Sequence, residues 1–556
     1  MSKQTLNRRK FLALSATASA GAMAACAAPA ASPAAAPAAE VSASLARGND
    51  LLIAAVYGDI DMWDPALLVG SKPAQTAIQN CLDQLTRYNP KEVKLDDGTT
   101  YSIFNAEDIG GMLAESWEMK GADMVFHIRE GVKFPDGSLV DASVVYENYK
   151  RFFELKGVAT FLLGMGGSVT DISQIEVVDP KTLVIRMTKA NDLTIKNITM
   201  GNTSILNLSE LKAHATDSDP WAAEYYKKNF PVGTGPYKLD TYSPGDKITL
   251  VRNDGYWGPP PKFAKVIQKI VPDAAQRVLL LKSGEVDIID NVPFKELASL
   301  RQDPNVRILP IPTTYIFLIS LNNKIAPFDK KEVRQAFSYA VPYDDIIEKV
   351  LYGYGKRARA FIPEGQNTYD PSIKGYDHNP EKAKERLAAA GYKDGVGLPP
   401  IKLSIRIGIE EDERTAIIIQ GALREIGVNI SIEKLNIAAY NEVYFGRKMQ
   451  MGMQSWDMWV NDPYYNMFWQ TTTEGSNNGA DFSNERIDEI ISKYTLFPNG
   501  PERDDASKEA QRILEDEAPY IILYQMVWPI AMRADVGGYT FFNDTLTRYD
   551  TMFRKL

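Results

Sequence analysis

Apolar and polar residues switch repeatedly along this chain between the two-residue period of a strand and the three-to-four-residue period of a helix. Phe126-His127-Ile128-Arg129 alternates as a strand; Gly131 and Pro135-Asp136-Gly137 punctuate it, and Asp141 can cap a helix carrying Val144, Val145, Tyr149 and Phe152 on one face. Ile175 to Val178 and Leu183 to Met187, separated by Asp179-Pro180-Lys181, predict a hairpin. Asp329 and Glu332 have capping-box spacing ahead of the stripe Val333, Ala336, Phe337, Ala340 and Val341. Asn379-Pro380 opens a further helix that Gly391 closes. Lys402 to Ile407, Arg414 to Ile426 and Val428 to Ile432 then predict a strand, helix, strand unit, which favours a parallel sheet. Met449, Met451 and Met453 alternate with Gln450, Gly452 and Gln454, a strand with one pliable apolar face; its continuation puts Ser455, Asp457 and Trp459 on that face and Trp456 on the other. The pattern is that of an α/β protein. No internal repeat is visible, and nothing after the first residues is apolar enough to cross a membrane.

The first 25 residues follow a different rule. Arg8, Arg9 and Lys10 precede a short run rich in Ala, Ser and Gly that ends at Cys26, which reads as an export signal rather than a membrane span. The paired arginines resemble a twin-arginine signal, and Met23-Ala24-Ala25-Cys26 resembles a lipobox in which Cys26 is lipidated. Ala27 to Ser44 is almost wholly Ala, Pro and Ser, a spacer that cannot bury a core. Residues 1–25 are therefore expected to be the signal and 26–47 a tether. The chain's net charge of −9 becomes −13 for the exported part once Lys3, Arg8, Arg9 and Lys10 are removed. An acidic body disfavours binding to a phosphate backbone, so no nucleic-acid partner is expected. The only cysteine besides Cys26 is Cys81, whose helical spacing with Ile78, Leu82 and Leu85 marks a buried structural thiol. About 500 residues beyond the tether call for more than one lobe.

Catalytic chemistry is hard to find in these residues. The three histidines, His127, His214 and His378, are isolated and lack metal-ligand spacing, so no metal or cofactor is expected. Gly-x-Ser-x-Gly, His-Glu-x-x-His and phosphate-cradling loops are absent from the sequence. Glu410-Glu411-Asp412-Glu413 could form a carboxylate pair for acid-base work, but acids entering a helix also serve its N-terminal dipole.

Several segments, in order, resemble the family 5 extracellular solute-binding proteins of ABC importers. They are Leu113-Ala114-Glu115-Ser116-Trp117, Phe126 to Gly137, PVGTGPYKL from Pro231 to Leu239 with Tyr256-Trp257 beyond, and Leu279 to Asp287. Pro327-Phe328-Asp329 with Val333 to Ala336, and Trp456 to Pro463, complete the set. The resemblance implies a two-lobed clamshell of the periplasmic-binding-protein type with an extra subdomain on lobe one. Lobe one would be 48–312 with the subdomain near 82–188, lobe two 313–518, and 519–556 the return to lobe one. In many peptide-binding relatives the segment after the tryptophan reads Trp, two residues, Asp, two residues, Asp-Pro, and the first acid holds the peptide's α-ammonium. Here Trp456, Asp462 and Pro463 match, while Trp459 occupies that acid's position. An indole has only a donor, so the usual clamp is missing. Either Asp457 replaces it, or Trp456, Trp459 and Tyr464 form stacking walls for a solute without a free α-amine. Asp462 of the matching segment, Tyr57 on the family's early loop, Tyr315 near the expected hinge crossing, and Arg359, with Arg357 beside it on a segment that borders the cleft in relatives, are further ligand candidates.

The expected function is thus a lipid-anchored receptor delivering a peptide-sized organic solute to an ABC permease, without chemistry of its own. A saccharide or opine receptor is the alternative on the same fold. A secreted hydrolase, and an extracellular scaffold or signalling module, are the alternatives of another class.

Overall fold

The computed structural model describes residues 50–68, 70–456 and 459–555. The expected export signal, the tether, Cys26 and Asp457 lie outside the described residues. No helix among them is long and apolar enough to cross a membrane.

One mixed sheet of eleven strands runs through the whole body. Its ten-strand path is Ile430–Leu435, Ile401–Arg406, Met451–Trp456, Val306–Leu321, Tyr520–Arg533, Ile288–Ile289, Leu51–Val56, Lys265–Ile270, Lys247–Arg252, Tyr237–Ser243. Val306–Leu321 and Tyr520–Arg533 are long enough to belong to both lobes. Val306 to Pro312 pairs with Val527 to Arg533 on one side, and Ile316 to Ser320 pairs with Tyr520 to Gln525 on the other. The register shifts between Pro312 and Ile316, where the two prolines at 310 and 312 leave no amide to continue the ladder. The two strands therefore cross between the lobes, and the interruption sits at the crossing.

Each lobe hangs a parallel unit on this ribbon. In lobe one Leu51–Val56 lies parallel to Lys265–Ile270 and to Ile288–Ile289. In lobe two Ile401–Arg406 lies parallel to Ile430–Leu435 and Met451–Trp456, with helix Glu410–Glu425 as the crossover. The four acids Glu410 to Glu413 occupy that helix's first turn, four residues earlier than the apolar pattern alone starts it. Ile319, Leu321, Met451 and Met453 pack one face of the lobe-two sheet on helices Lys331–Ala340 and Glu410–Glu425. Ile316 and Leu318 pack the other on helices Pro463–Gln470, Glu485–Tyr494 and Pro501–Glu517. The methionine alternation thus forms core.

A separate four-stranded antiparallel sheet, Ala114–Lys120, Asp123–Ile128, Thr182–Arg186 and Ile175–Asp179, includes the expected hairpin and packs on helix Ala142–Leu155. Asp141 caps that helix by accepting from the Val144 amide at 2.9 Å. The Asp329 cap is corrected: helix Lys331–Ala340 begins at Lys330 with no side-chain cap, so Asp329 stands one residue too early to reach the orphan amides. The Pro231–Leu239 segment shows why it needs glycine. A Cβ on Gly235 would stand 2.4 Å from the Cys81 carbonyl carbon, so only a bare backbone can lie on Cys81-Leu82. That contact brings Thr234 to Asp83, whose Oδ2 accepts from Thr234 Oγ1 and from Trp257 Nε1, each at 2.8 Å. Cys81 is buried beneath it as a free thiol, and burial pushes its pKa up.

Candidate functional site

The carboxyl ends of the parallel strands in both lobes point at the crossing. Ile288–Ile289 runs toward it because Ile288 pairs with Met532 and Ile289 with Ala531; Met451–Trp456 runs toward it from the opposite side because Met451 pairs with Leu321 and Trp456 with Ile316. Ligands of open α/β sheets bind in this kind of crevice. Tyr57, Asp290, Arg406 and Trp456 stand at or just past the carboxyl ends of these strands.

Its floor is aromatic. Tyr315 is half-buried, its hydroxyl 3.0 Å from Ser455 Oγ, and its ring meets Phe317 at 5.2 Å and Trp528 edge-on at 5.9 Å. Trp528 belongs to the lobe-one half of its strand, so this edge contact spans the crossing. Lys72, at the start of helix Lys72–Cys81, holds its ammonium 4.5 Å above the Trp528 ring. Thr313 and Gln525 tie the interrupted register: Thr313 Oγ1 donates to the Met526 carbonyl at 2.8 Å and Gln525 Nε2 donates to the Thr313 carbonyl at 2.5 Å. Tyr57 is 37% exposed, the most open aromatic ring of this group. Burial pushes the Asp290 carboxyl up to about 6 despite Lys72 and Arg277 nearby.

The other expected site residues lie on the far side of the gap. Trp456, on the sheet face opposite Tyr315, is half-buried and donates from Nε1 to Asn466 Oδ1. Trp459 is half-buried against an apolar cluster that includes Leu162, Met200, Val460 and Tyr465, and its carbonyl accepts from Asn543 Nδ2. Asp462 is fully buried. Its Oδ2 accepts from Lys196 at 2.9 Å, and its Oδ1 accepts from Arg503 at 2.7 Å and from the Tyr464 amide at 3.0 Å, capping helix Pro463–Gln470. Burial would raise its pKa, but the Arg503 guanidinium and Lys196 ammonium outweigh that and hold it well below the usual carboxylate range. Tyr464 is fully buried, donating to the Arg503 carbonyl at 2.6 Å beneath that residue's guanidinium.

The two arginine candidates sit elsewhere. Arg357 donates to the carbonyls of Ile522 and Tyr376 at 2.9 and 2.8 Å and lies 3.4 Å over the Tyr343 ring, bracing the lobe-two framework. Arg359 pairs with Asp377 at 2.8 Å at the surface. Among the described residues no group of three His, Cys, Asp or Glu side chains could hold a metal ion.

The structure links Tyr57 through Asp290 and Lys72 to Trp528 and Tyr315, and leaves Trp456 on the opposite sheet face; Lys72, Trp528 and Lys196 are residues that the sequence pattern did not single out. Trp528 was legible only as one strand residue among many. Lys196 lies within Leu193–Ile198, where folding leaves it only 6% exposed among buried neighbours, and its local spacing carries no sign of this.

The arrangement can enclose a small solute between lobes, and known proteins share it. A family model for the middle region of the family 5 bacterial extracellular solute-binding proteins matches residues 108–478. The chain is 27% identical over 508 residues to a probable D,D-dipeptide-binding periplasmic protein DdpA of Escherichia coli K12, covering 90% of this chain and 93% of that one. It is 28% identical over 499 residues to heme-binding protein A of Haemophilus influenzae, covering 86% and 87%. Among solved structures, the ABC transporter substrate-binding protein CtaP of Listeria monocytogenes superposes with a TM-score of 0.79 at 19% identity, covering 92% of this chain and 100% of that one. NikA of Brucella suis, in complex with Fe(III)-EDTA, superposes with a TM-score of 0.77 at 22% identity, covering 91% and 100%. The chain belongs to the family 5 bacterial extracellular solute-binding proteins, two-lobed binding components of ABC importers rather than enzymes.

Proposed function

We propose that this receptor captures a peptide-sized organic solute against the aromatic floor formed by Tyr315 and Trp528, with Tyr57 and Trp456 at its sides, and hands it to an ABC permease. The convergence of strand ends from both lobes on that floor carries the reading. The lobes divide near 313 and within strand Tyr520–Arg533, whose first half pairs with Ile316 to Ser320 of lobe two, so that 48–312 and the chain after about residue 526 form lobe one, with an added subdomain near 82–188. Lipid attached to Cys26 anchors the body outside the cell membrane after twin-arginine export. Relatives named for D,D-dipeptides and for dipeptides support a peptide solute.

One observation favours a solute without a free α-amine. Asp462, the acid of the matching segment that the structure describes, spends both oxygens on Lys196 and Arg503. An opine or a saccharide answers this chemistry; Asp457 remains the candidate clamp for a peptide.

The test is extraction of natively purified protein followed by mass spectrometry and re-addition of the recovered compound. A stoichiometric organic solute that raises the melting midpoint by mass action is expected, and Tyr315→Ala or Trp456→Ala should weaken it by about 1 kcal/mol. No stabilisation by any peptide, opine or saccharide would overturn the reading. Cys26→Ala should release the protein from membranes, and Arg8→Lys combined with Arg9→Lys should abolish export.

A further inference from the structure

We propose that the lip of lobe two formed by Ile407, Ile409 and Ile437 is the surface on which the importer's permease seats this receptor. The proposal rests on the delivery of a solute to an ABC permease and adds the place and the chemistry of that contact.

Topology brings the three isoleucines together. Strand Ile401–Arg406 runs parallel to Ile430–Leu435 and to Met451–Trp456, whose carboxyl end points at the crossing. Ile407 continues the first of these strands and donates its amide to the Leu435 carbonyl at 2.9 Å. Ile409 immediately precedes helix Glu410–Glu425, and Ile437 opens helix Ile437–Phe445. All three therefore stand at the interlobe end of lobe two. Ile407 and Ile437 are 59% and 60% exposed and Ile409 is exposed between them, although isoleucine is among the most often buried residues. Apolar side chains grouped in this way mark a contact with another molecule.

The charges beside the lip are already engaged. Asp412 holds Arg406 through both carboxylate oxygens at 2.8 and 2.9 Å, Glu413 pairs with Lys434 at 2.8 Å, and Glu410 reaches Lys295 of lobe one at 2.9 Å. What the lip offers a partner is thus apolar surface with an acidic border. That border, on an exported body of net charge −13, opposes an anionic lipid surface and suits a protein socket edged by basic side chains. The Glu410–Lys295 pair also makes the lip continuous with the contact between lobes, so a partner seated there touches the line along which the lobes meet. A permease that takes a solute from between the lobes needs that position. The chain outside the described residues permits it. Asp50 lies at the amino end of strand Leu51–Val56, away from the crossing, and follows Cys26 by 24 residues, a reach of at most about 80 Å. A body tethered at that end can turn its interlobe end toward the membrane.

The test places the photo-crosslinker p-benzoylphenylalanine at Ile409 of the full-length chain in the cells it comes from, with Val396 as the control position. Val396 is still more exposed and belongs to the same lobe, but its neighbour Gly395 packs on Gly427 at the opposite, amino end of the strands. After irradiation the adducts are identified by mass spectrometry. Ile409 should give an adduct with the membrane-spanning subunit of an ABC importer in at least tenfold greater yield than Val396. Ile407→Ser combined with Ile437→Ser should cut that yield at least tenfold while the melting midpoint of the purified body stays unchanged. An adduct from Ile409 with a second copy of this chain, with lipid or with any other protein overturns the proposal, as does a yield that the double variant leaves intact. Permease adducts from Val396 alone place the docking surface elsewhere and leave the receptor reading standing. Permease adducts from neither position overturn the proposal, and the solute recovered from purified protein then judges the receptor reading on its own.

Discussion

The floor of the gap and its outer rim are built from opposite materials. At the floor the lobes are joined by two continuous strands, and the side chains that meet there, Tyr315, Phe317 and Trp528, are aromatic and half-exposed. At the rim the lobes touch without covalent continuity: helix Leu193–Ile198 meets the segment around Asp462 through a fully buried ion pair inside an apolar cluster of Leu162, Met200, Tyr465 and Trp469. Two continuous strands tether the floor, and Thr313 and Gln525 bridge the break in their ladder. Parting of the lobes at this contact would return Lys196 to water and leave Asp462 to Arg503 alone. Hinge closure of this kind places the reversible cost at the rim and the permanent shape at the floor.

That division can be broken at several points. Asp462→Ala should have the largest effect, a loss of about 3–5 kcal/mol of stability in denaturant unfolding, because Lys196 and Arg503 would be left as buried, unpaired cations. A loss near zero would mean the rim contact is not formed in solution. Lys196→Met keeps the bulk but removes the interlobe charge; small-angle scattering should then record a larger radius of gyration without solute, and an unchanged radius would move the latch elsewhere. Asp83 and Asp462 should give opposite pH signatures. Asp83 is raised to about 6 by burial, so its stabilising contribution is full below its unfolded value near 4 and is lost as pH rises through about 6. Asp462 is lowered, so its contribution is present above about pH 4 and is lost as pH falls further. Asp83→Asn should therefore flatten part of the decline in melting midpoint between pH 4 and 7, leaving the share of Asp290 and the acid-side loss intact. The smallest effect belongs to Arg359→Ala, within about 0.5 kcal/mol in stability and with no change in solute affinity, since it removes an exposed surface pair away from the gap.

Local pattern carried far into the fold. The strand, helix, strand unit around residues 401–435, the 175–187 hairpin and the Asp141 and Asn379 caps depend on neighbours within about one turn, and each formed as its spacing dictates. The Asp329 cap failed because the capping-box spacing fits more than one register and packing against the sheet selected the helix start. At the site, the alternation correctly put Trp456 on the strand face opposite Met451 and Met453. It could not tell that Asp462 would meet Lys196, 266 residues away, or that Trp528 would cross to Tyr315, because neither approach leaves a trace in local spacing.

The sequence by itself determined an α/β body, the order of its elements and, through motifs such as Pro231–Leu239, the family. Those features follow from periodicity and from backbone positions that only glycine fits. Only the tertiary structure decided which polar groups are consumed and which remain available. Asp462 stands in the sequence as a candidate solute ligand, and folding spends it on two cations; Lys196 carries no mark in its local spacing, and folding buries it against that carboxylate. The physical reason is that a side chain's hydrogen-bonding balance is set by long-range approach and exclusion of water, quantities that residue type and spacing do not encode.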